Sequence, residues 1–160
     1  MTTLVVQAHP LEQSYNSALL DAVVAQAPGA RVVRLGQGDR WTPYACIDAT
    51  RLVAVYPTWW GSLPAMLLDA LNDLIGPWVD GDQSRDTSPL RTIESLTVLT
   101  SHGSTKRINM LQGEPGLQLW KRTIVPLCAP GASFSWQSLY KVDRVSPAER
   151  IAFVDSLTIT

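Results

Sequence analysis

A doubly wound α/β fold, with five parallel strands in the order 2-1-3-4-5 and helices on both faces, is the architecture this sequence predicts. Three observations lead to it. Short apolar runs of strand length recur along the chain, and segments with apolar residues at helical spacing alternate with them. The third is size and composition: 160 residues, 46% hydrophobic and only 17% charged, supply one buried core, so a single domain spanning 1–160 is expected.

Each element follows from local pattern. Thr3 to Ala8 is an apolar run that stops at His9-Pro10, as a strand buried on both faces would. From Ser14 to Ala27 the period becomes helical (Leu19, Leu20, Val23, Val24, Ala27), and Pro28-Gly29 closes the segment. Arg31 to Leu35 reads as a second strand. The connection from Gly36 to Thr50 stays unassigned, with Trp41 and Tyr44 as packing anchors. Arg51 to Pro57 is a third strand, and Ser62 to Ile75 a helix with Pro64 allowed in its first turn. Asp80 to Pro89 reads as an exposed loop, Leu96 to Thr100 as a fourth strand and Leu117 to Val125 as a helix. Phe134 to Tyr140 is the fifth strand. Ser146-Pro147-Ala148-Glu149 then supplies an N-cap, a first-turn proline and a glutamate at the third helical position, opening a helix to about Leu157.

Several function classes are excluded by what the chain lacks. Thirteen Lys and Arg against fourteen Asp and Glu give a net charge of −1, with no basic block for tracking phosphates along a nucleic acid. Cys46 and Cys128 match neither a redox pair nor a metal spacing, and no disulfide scaffold or metal site is expected. No apolar run reaches the roughly 18 residues of a membrane span, and the N-terminus lacks a signal-peptide pattern, so a cytoplasmic protein without membrane insertion is expected. There is no GxxxxGK[ST]. Gly36-Gln37-Gly38 is followed by Trp41 where a third glycine would stand, and Gly131-Ala132-Ser133 runs into Phe134-Ser135 with no nucleophile elbow.

In doubly wound sheets ligands bind beyond the carboxyl ends of the strands at the switch in strand order, here between strands 1 and 3. Three loops fall there. The first, His9 to Asn16, joins a helix N-terminus to the donors of His9, Ser14 and Asn16, a cradle for a phosphate; Ser14 as a mere helix cap is the alternative. The second, Pro57-Thr58-Trp59-Trp60-Gly61-Ser62, sets two flat indoles beside a glycine that permits close backbone approach, which suits a planar ligand; one or both tryptophans could instead fill the core. The third, Thr100 to Thr105, offers small hydroxyl residues for the polar edge of a ring. A phosphate site, an aromatic slot and a polar edge in one crevice are what a flavin nucleotide needs.

These residues resemble the flavodoxin-like NAD(P)H:quinone oxidoreductases, including the small quinone reductase-like ancillary subunits of potassium efflux systems. Ala8-His9-Pro10, followed after three residues by Ser14-Tyr15-Asn16, is similar to the family's phosphate loop. Tyr56-Pro57-Thr58-Trp59-Trp60-Gly61-Ser62-Leu63-Pro64 is similar to its flavin loop, and Thr100-Ser101-His102-Gly103 to its loop with two glycines. The likeness runs over roughly residues 1–115.

The resemblance implies that His9, Ser14, Tyr15 and Asn16 hold the flavin phosphate. It also implies that Pro57, Thr58, Trp59, Trp60 and Gly61 run along the ring, and that Thr100, Ser101, His102 and Gly103 meet its pyrimidine edge. It further implies NAD(P)H as co-substrate, a quinone or similar flat acceptor, and a homodimer for which Trp41, Trp78, Trp120 and Trp136 are candidate contacts, core packing being the alternative. The short connection at 36–50 and the short C-terminal region favour FMN over FAD. Two departures stand out. His102 replaces the first of the two glycines, so its side chain must either point away or intrude near the ring, and it is the only candidate for protonating the acceptor. The family's charge-relay tyrosine and histidine have no counterpart in 106–115, and catalytic residues are otherwise unknown.

The leading expectation is therefore two-electron transfer from NAD(P)H through the flavin to a quinone. The alternative is a flavin- or nucleotide-binding regulatory subunit of a transport system with little catalysis. A flavodoxin-type carrier fits less well, because such carriers are strongly acidic. A fold relic without cofactor would follow if His102 blocked the slot.

Overall fold

The computed structural model describes residues 1–81 and 83–159; Asp82, within the loop expected at 80–89, and Thr160 lie outside the described residues. Five parallel strands, β1 (Thr2–Gln7), β2 (Arg31–Arg34), β3 (Ala49–Thr58), β4 (Ser95–His102) and β5 (Ser133–Leu139), form one sheet in the order β2-β1-β3-β4-β5. The strand order and the parallel pairing match the expectation.

Alternation along the strands sends side chains to two cores. Val5, Val53, Val55 and Leu99 pack against Leu19, Leu20 and Val23 of α1 (Tyr15–Gln26) and Phe153 of α6 (Pro147–Asp155). Leu4, Val6, Ala54, Tyr56 and Val98 face the opposite way, toward Leu67, Leu71 and Leu74 of α3 (Ala65–Val79) and toward Trp41 and Trp120. Both faces are covered, which is why the strands read as continuous apolar runs.

The structure corrects several boundaries. The 36–50 connection holds a 3-10 turn at Leu35–Gln37 and the short helix α2 (Pro43–Cys46). Trp41 is buried there and gives its indole N–H to Cys46 Sγ at 3.3 Å, whereas Tyr44 is exposed and anchors nothing. α3 starts at Ala65 with Pro64 as its cap and runs on through Pro77 to Val79. In the 80–89 loop Ser88 is buried, its hydroxyl donating to the Leu127 carbonyl at 2.8 Å. The helix expected at 117–125 is one helical run of changing pitch: α5 (Pro115–Leu119), a π turn at Trp120–Ile124 and a 3-10 turn at Val125–Leu127, where Pro126 cannot donate to the preceding turn. α4 (Lys106–Leu111), which no apolar period announces, is capped by the Thr105 hydroxyl on the Ile108 N–H at 3.2 Å. α6 carries the expected capping box between Ser146 and Glu149. Of the four tryptophans considered as interface contacts, Trp41 and Trp120 are core residues, while Trp78 and Trp136 are half-buried. Both cysteines are buried and free.

β3 and β4 extend past their expected ends, pairing Tyr56 with Thr100, Pro57 with Ser101 and Thr58 with His102. Pro57 is tolerated in this central strand for a geometric reason. The Ala8 N–H donates to the Val55 carbonyl at 2.9 Å, so residues 55 and 57 both turn their backbone groups toward β1. By residue 57 β1 has already ended, and no donor is missed. The result is a notch beside the carboxyl end of β3, where β1 has stopped short of it.

Candidate functional site

The three loops meet at that notch and are tied to one another pairwise. The first touches the second through the rings of His9 and Trp59, with centroids 6.2 Å apart. It joins the third through Asn16 Nδ2, which donates to Ser101 Oγ at 3.4 Å. The second joins the third through the hydroxyls of Thr58 and Thr100, 2.9 Å apart. His9, Ser14, Tyr15, Asn16, residues 57–61 and residues 100–103 are thus brought into one region, but they do not all face it.

In the first loop the backbone is the open part. No backbone N–H of residues 12 to 16 makes a hydrogen bond within the described residues, and these groups lead into the positive end of α1. Ser14 is the helix cap, its Oγ accepting from the Ser17 N–H at 3.2 Å. Tyr15 turns toward α6 and donates to the Arg150 carbonyl at 3.2 Å; burial pushes its phenol up to about 12, against the opposing pull of Arg150. His9 Nδ1 accepts the Leu11 N–H at 3.1 Å, which folds the loop back on itself. Asn16 is buried, and its Oδ1 has no partner. A serine hydroxyl donates or accepts equally well, so the Asn16 amide keeps its contact with Ser101 when turned over and then offers Nδ2 instead.

The second loop is a two-residue hairpin. Trp59 and Ser62 exchange backbone hydrogen bonds at 3.0 and 2.9 Å, and Trp60 and Gly61 between them have φ of 53° and 78°. Two positive φ values mark a type I′ turn, which only glycine and asparagine enter readily. Trp60 is held there with its indole fully exposed, and Trp59 is partly exposed.

In the third loop Thr100, Ser101 and His102 are all buried, and only Gly103 is open. The N–H groups of Gly103, Ser104 and Thr105 make no hydrogen bond within the described residues. The donors available here for the edge of a ring are therefore backbone groups, not the hydroxyls of Thr100 and Ser101.

His102 is held by Asn109 and Tyr140. Its Nδ1 lies 2.9 Å from Asn109 Oδ1, and its ring stacks on Tyr140 at 4.5 Å with an interplanar angle of 18°. Asn109 fixes the tautomer. Its Nδ2 donates to the Thr105 carbonyl and to Ser104 Oγ, both at 2.8 Å, and a carbonyl only accepts, so Oδ1 is the atom facing His102 and Nδ1 carries the proton. Burial holds the imidazole below its ordinary pKa, with the Asn109 bond opposing. The ring is thereby buried and held neutral.

Gly36, which no sequence motif marks, packs against the first loop. A Cβ on it would stand 1.7 Å from the His9 carbonyl oxygen, so the 3-10 turn supports the first loop from behind. Asn109, Trp136 and Tyr140, which surround His102, are not marked either; nothing in sequence spacing links them. No cluster of three metal-ligating side chains occurs among the described residues, and no described helix is long and apolar enough to cross a membrane.

No protein-family model matches the chain, and no curated protein matches its sequence. Solved structures do match its fold. Smu.1420 from Streptococcus mutans UA159 superposes with a TM-score of 0.77 at 18% identity, covering 97% of this chain and 95% of that one. NAD(P)H:quinone oxidoreductase from Methanothermobacter marburgensis gives 0.67 at 17% identity, covering 97% and 92%. An FMN-dependent NADH-azoreductase from Bacillus anthracis, solved with FMN, gives 0.64 at 12% identity, covering 96% and 94%. With a parallel sheet in the order 2-1-3-4-5 and near-complete coverage of these neighbours, the chain has the flavodoxin-like fold that quinone oxidoreductases and azoreductases share.

Proposed function

We propose that this protein is a flavin-dependent NAD(P)H oxidoreductase acting on a quinone or similarly flat acceptor, with FMN as the flavin. The observation that carries the reading is that five unbonded backbone N–H groups at the start of α1 and a fully exposed indole held at positive φ lie on loops that touch one another. The first feature suits a phosphate and the second a flat ring, and the ties among the three loops support reading them as one site. The quinone oxidoreductase and azoreductase neighbours support the same chemistry.

In this reading the N–H groups of residues 12–16, with Ser14 and Asn16, hold the phosphate, while His9 and Tyr15 shape the loop around it. Residues 57–61 carry the ring, and the N–H groups of Gly103, Ser104 and Thr105 face its polar edge, where fixed backbone donors stabilise negative charge. Bound flavin supplies the two-electron chemistry between nicotinamide and acceptor. Trp60, with Ile108, Met110 and Leu111 of α4, leaves exposed apolar surface that suits pairing of two chains.

The test is a visible spectrum of purified protein with FMN and with FAD, followed by NADPH without oxygen. A flavin band that bleaches is expected. Protein that takes up neither flavin overturns the reading; protein that binds flavin but resists reduction is a regulatory module.

A further inference from the structure

Between the second loop, β5 and α5 lies a small, partly open pocket of about 10 Å³ lined in part by Thr58, Gly61, His102, Glu114 and Trp136. Two of its lining groups are buried without a partner: His102 Nε2 and Trp136 Nε1. They are chemically opposite. Because Asn109 keeps the proton on Nδ1, His102 Nε2 presents a lone pair, and an indole N–H only donates. The rings stand 6.4 Å apart by centroid. Native folds rarely leave a buried donor or acceptor unmet.

We propose that His102 and Trp136 form a binding site for a single water molecule, which accepts the Trp136 indole N–H and donates one hydrogen to His102 Nε2. The size suits a single water, since a site needs roughly 10–15 Å³ of such volume to admit one. The wall supports it too: the second hydrogen finds an acceptor in the Thr58 hydroxyl or the Glu114 carboxylate, the two other polar side chains there apart from Asn109, which is already bonded. In this site His102 and Trp136 are positioning residues. The water links β4 to β5 beneath the hairpin that carries Trp60. The inference does not depend on the proposed flavin chemistry, because it rests on the two unpartnered ring nitrogens of His102 and Trp136.

The experiment is NMR on the 15N-labelled, full-length protein. A long-range proton–nitrogen correlation is expected to show His102 with its proton on Nδ1 and with Nε2 shifted from the free-lone-pair position by an accepted hydrogen bond. The Trp136 indole proton is expected to show cross-relaxation to a long-lived water. Trp136→Phe should abolish that cross-peak and move Nε2 toward the unbonded position, while Nδ1 stays protonated. If that variant does not fold, the wild-type spectra decide alone. A proton on Nε2, or an indole proton with no water cross-peak in the folded wild type, overturns the proposal.

Discussion

A Cβ placed on Gly36 falls 1.7 Å from the carbonyl oxygen of His9 and 2.5 Å from its carbonyl carbon, so backbone lies against backbone at the root of the first loop. The neighbour is main chain and cannot rotate away. Gly36→Ala should therefore displace the loop, lowering stability by about 1–3 kcal/mol as overpacking does. If the loop is the phosphate cradle, FMN affinity falls as well. Urea unfolding and flavin titration of the same variant check both effects. Unchanged stability would show that the 3-10 turn does not press on the loop.

Ser14 allows cap and cradle to be separated. Aspartate caps a helix as well as serine does and complements the dipole, so Ser14→Asp should leave the unfolding midpoint unchanged. The same carboxylate faces the place assigned to a phosphate. FMN should then bind at least about tenfold more weakly, or roughly 1.4 kcal/mol, measured by fluorescence titration. Equal affinity would place the phosphate elsewhere.

How much of this was legible in the sequence depends on the range of the interaction. Strand order and the helices on both faces follow from periodicity, because Leu4, Val5 and Val6 alternate between cores built by α3 and α1. The position of the notch follows from strand order alone. The direction of side chains within it does not. Ser14, Tyr15 and Asn16 satisfy their own fold, at a helix cap, on Arg150 and on Ser101, and those last partners come from distant segments. The sequence around Gly36 carries no sign of its contact with His9, which depends on how β2 leaves the sheet. α4 escaped notice because six residues show too little period, although Thr105 before it is an ordinary cap signal.

Beneath the second loop, Trp120 Nε1 donates to Tyr56 Oη at 2.8 Å in a fully buried pair, and burial keeps the Tyr56 phenol protonated. Tyr56→Phe leaves the indole N–H unmet and should cost about 1–3 kcal/mol. Adding Trp120→Phe should cost less than the sum of the two single changes, since the orphaned donor is then gone. A double-mutant cycle by denaturant unfolding measures the difference; strict additivity would deny the bond.

The enclosed His102 sets a pH dependence. Its folded pKa lies below the ordinary 6.5, from desolvation first, with the Asn109 bond opposing. Below the unfolded value the unfolded chain binds a proton that the native chain refuses. Stability is therefore whole above about 6.5, falls as pH drops, and levels off below the folded pKa. Glu114 on the cavity wall and Asp143 near Gly103 are carboxylates close by. Unfolding midpoints at pH 7.5 and 5.5 should differ more in the wild type than in His102→Leu. Equal differences would mean that the imidazole is not held neutral.

Trp60 tests the ring slot most directly, because fold and function want different residues there. Its φ of 53° precedes Gly61 in a type I′ turn, where asparagine before glycine is the preferred pair. An indole in that conformation costs stability, and full exposure means that it recovers nothing by packing. Trp60→Asn should raise stability by about 1 kcal/mol, since the left-handed conformation costs an ordinary residue roughly 1–2 kcal/mol and asparagine less. The same change removes the exposed flat surface of the second loop and should weaken FMN binding. A variant that unfolds later yet binds flavin less well would identify Trp60 as kept for the ligand; one that binds FMN as the wild type does would free Trp60 from the site and leave its exposure to be explained by a partner chain.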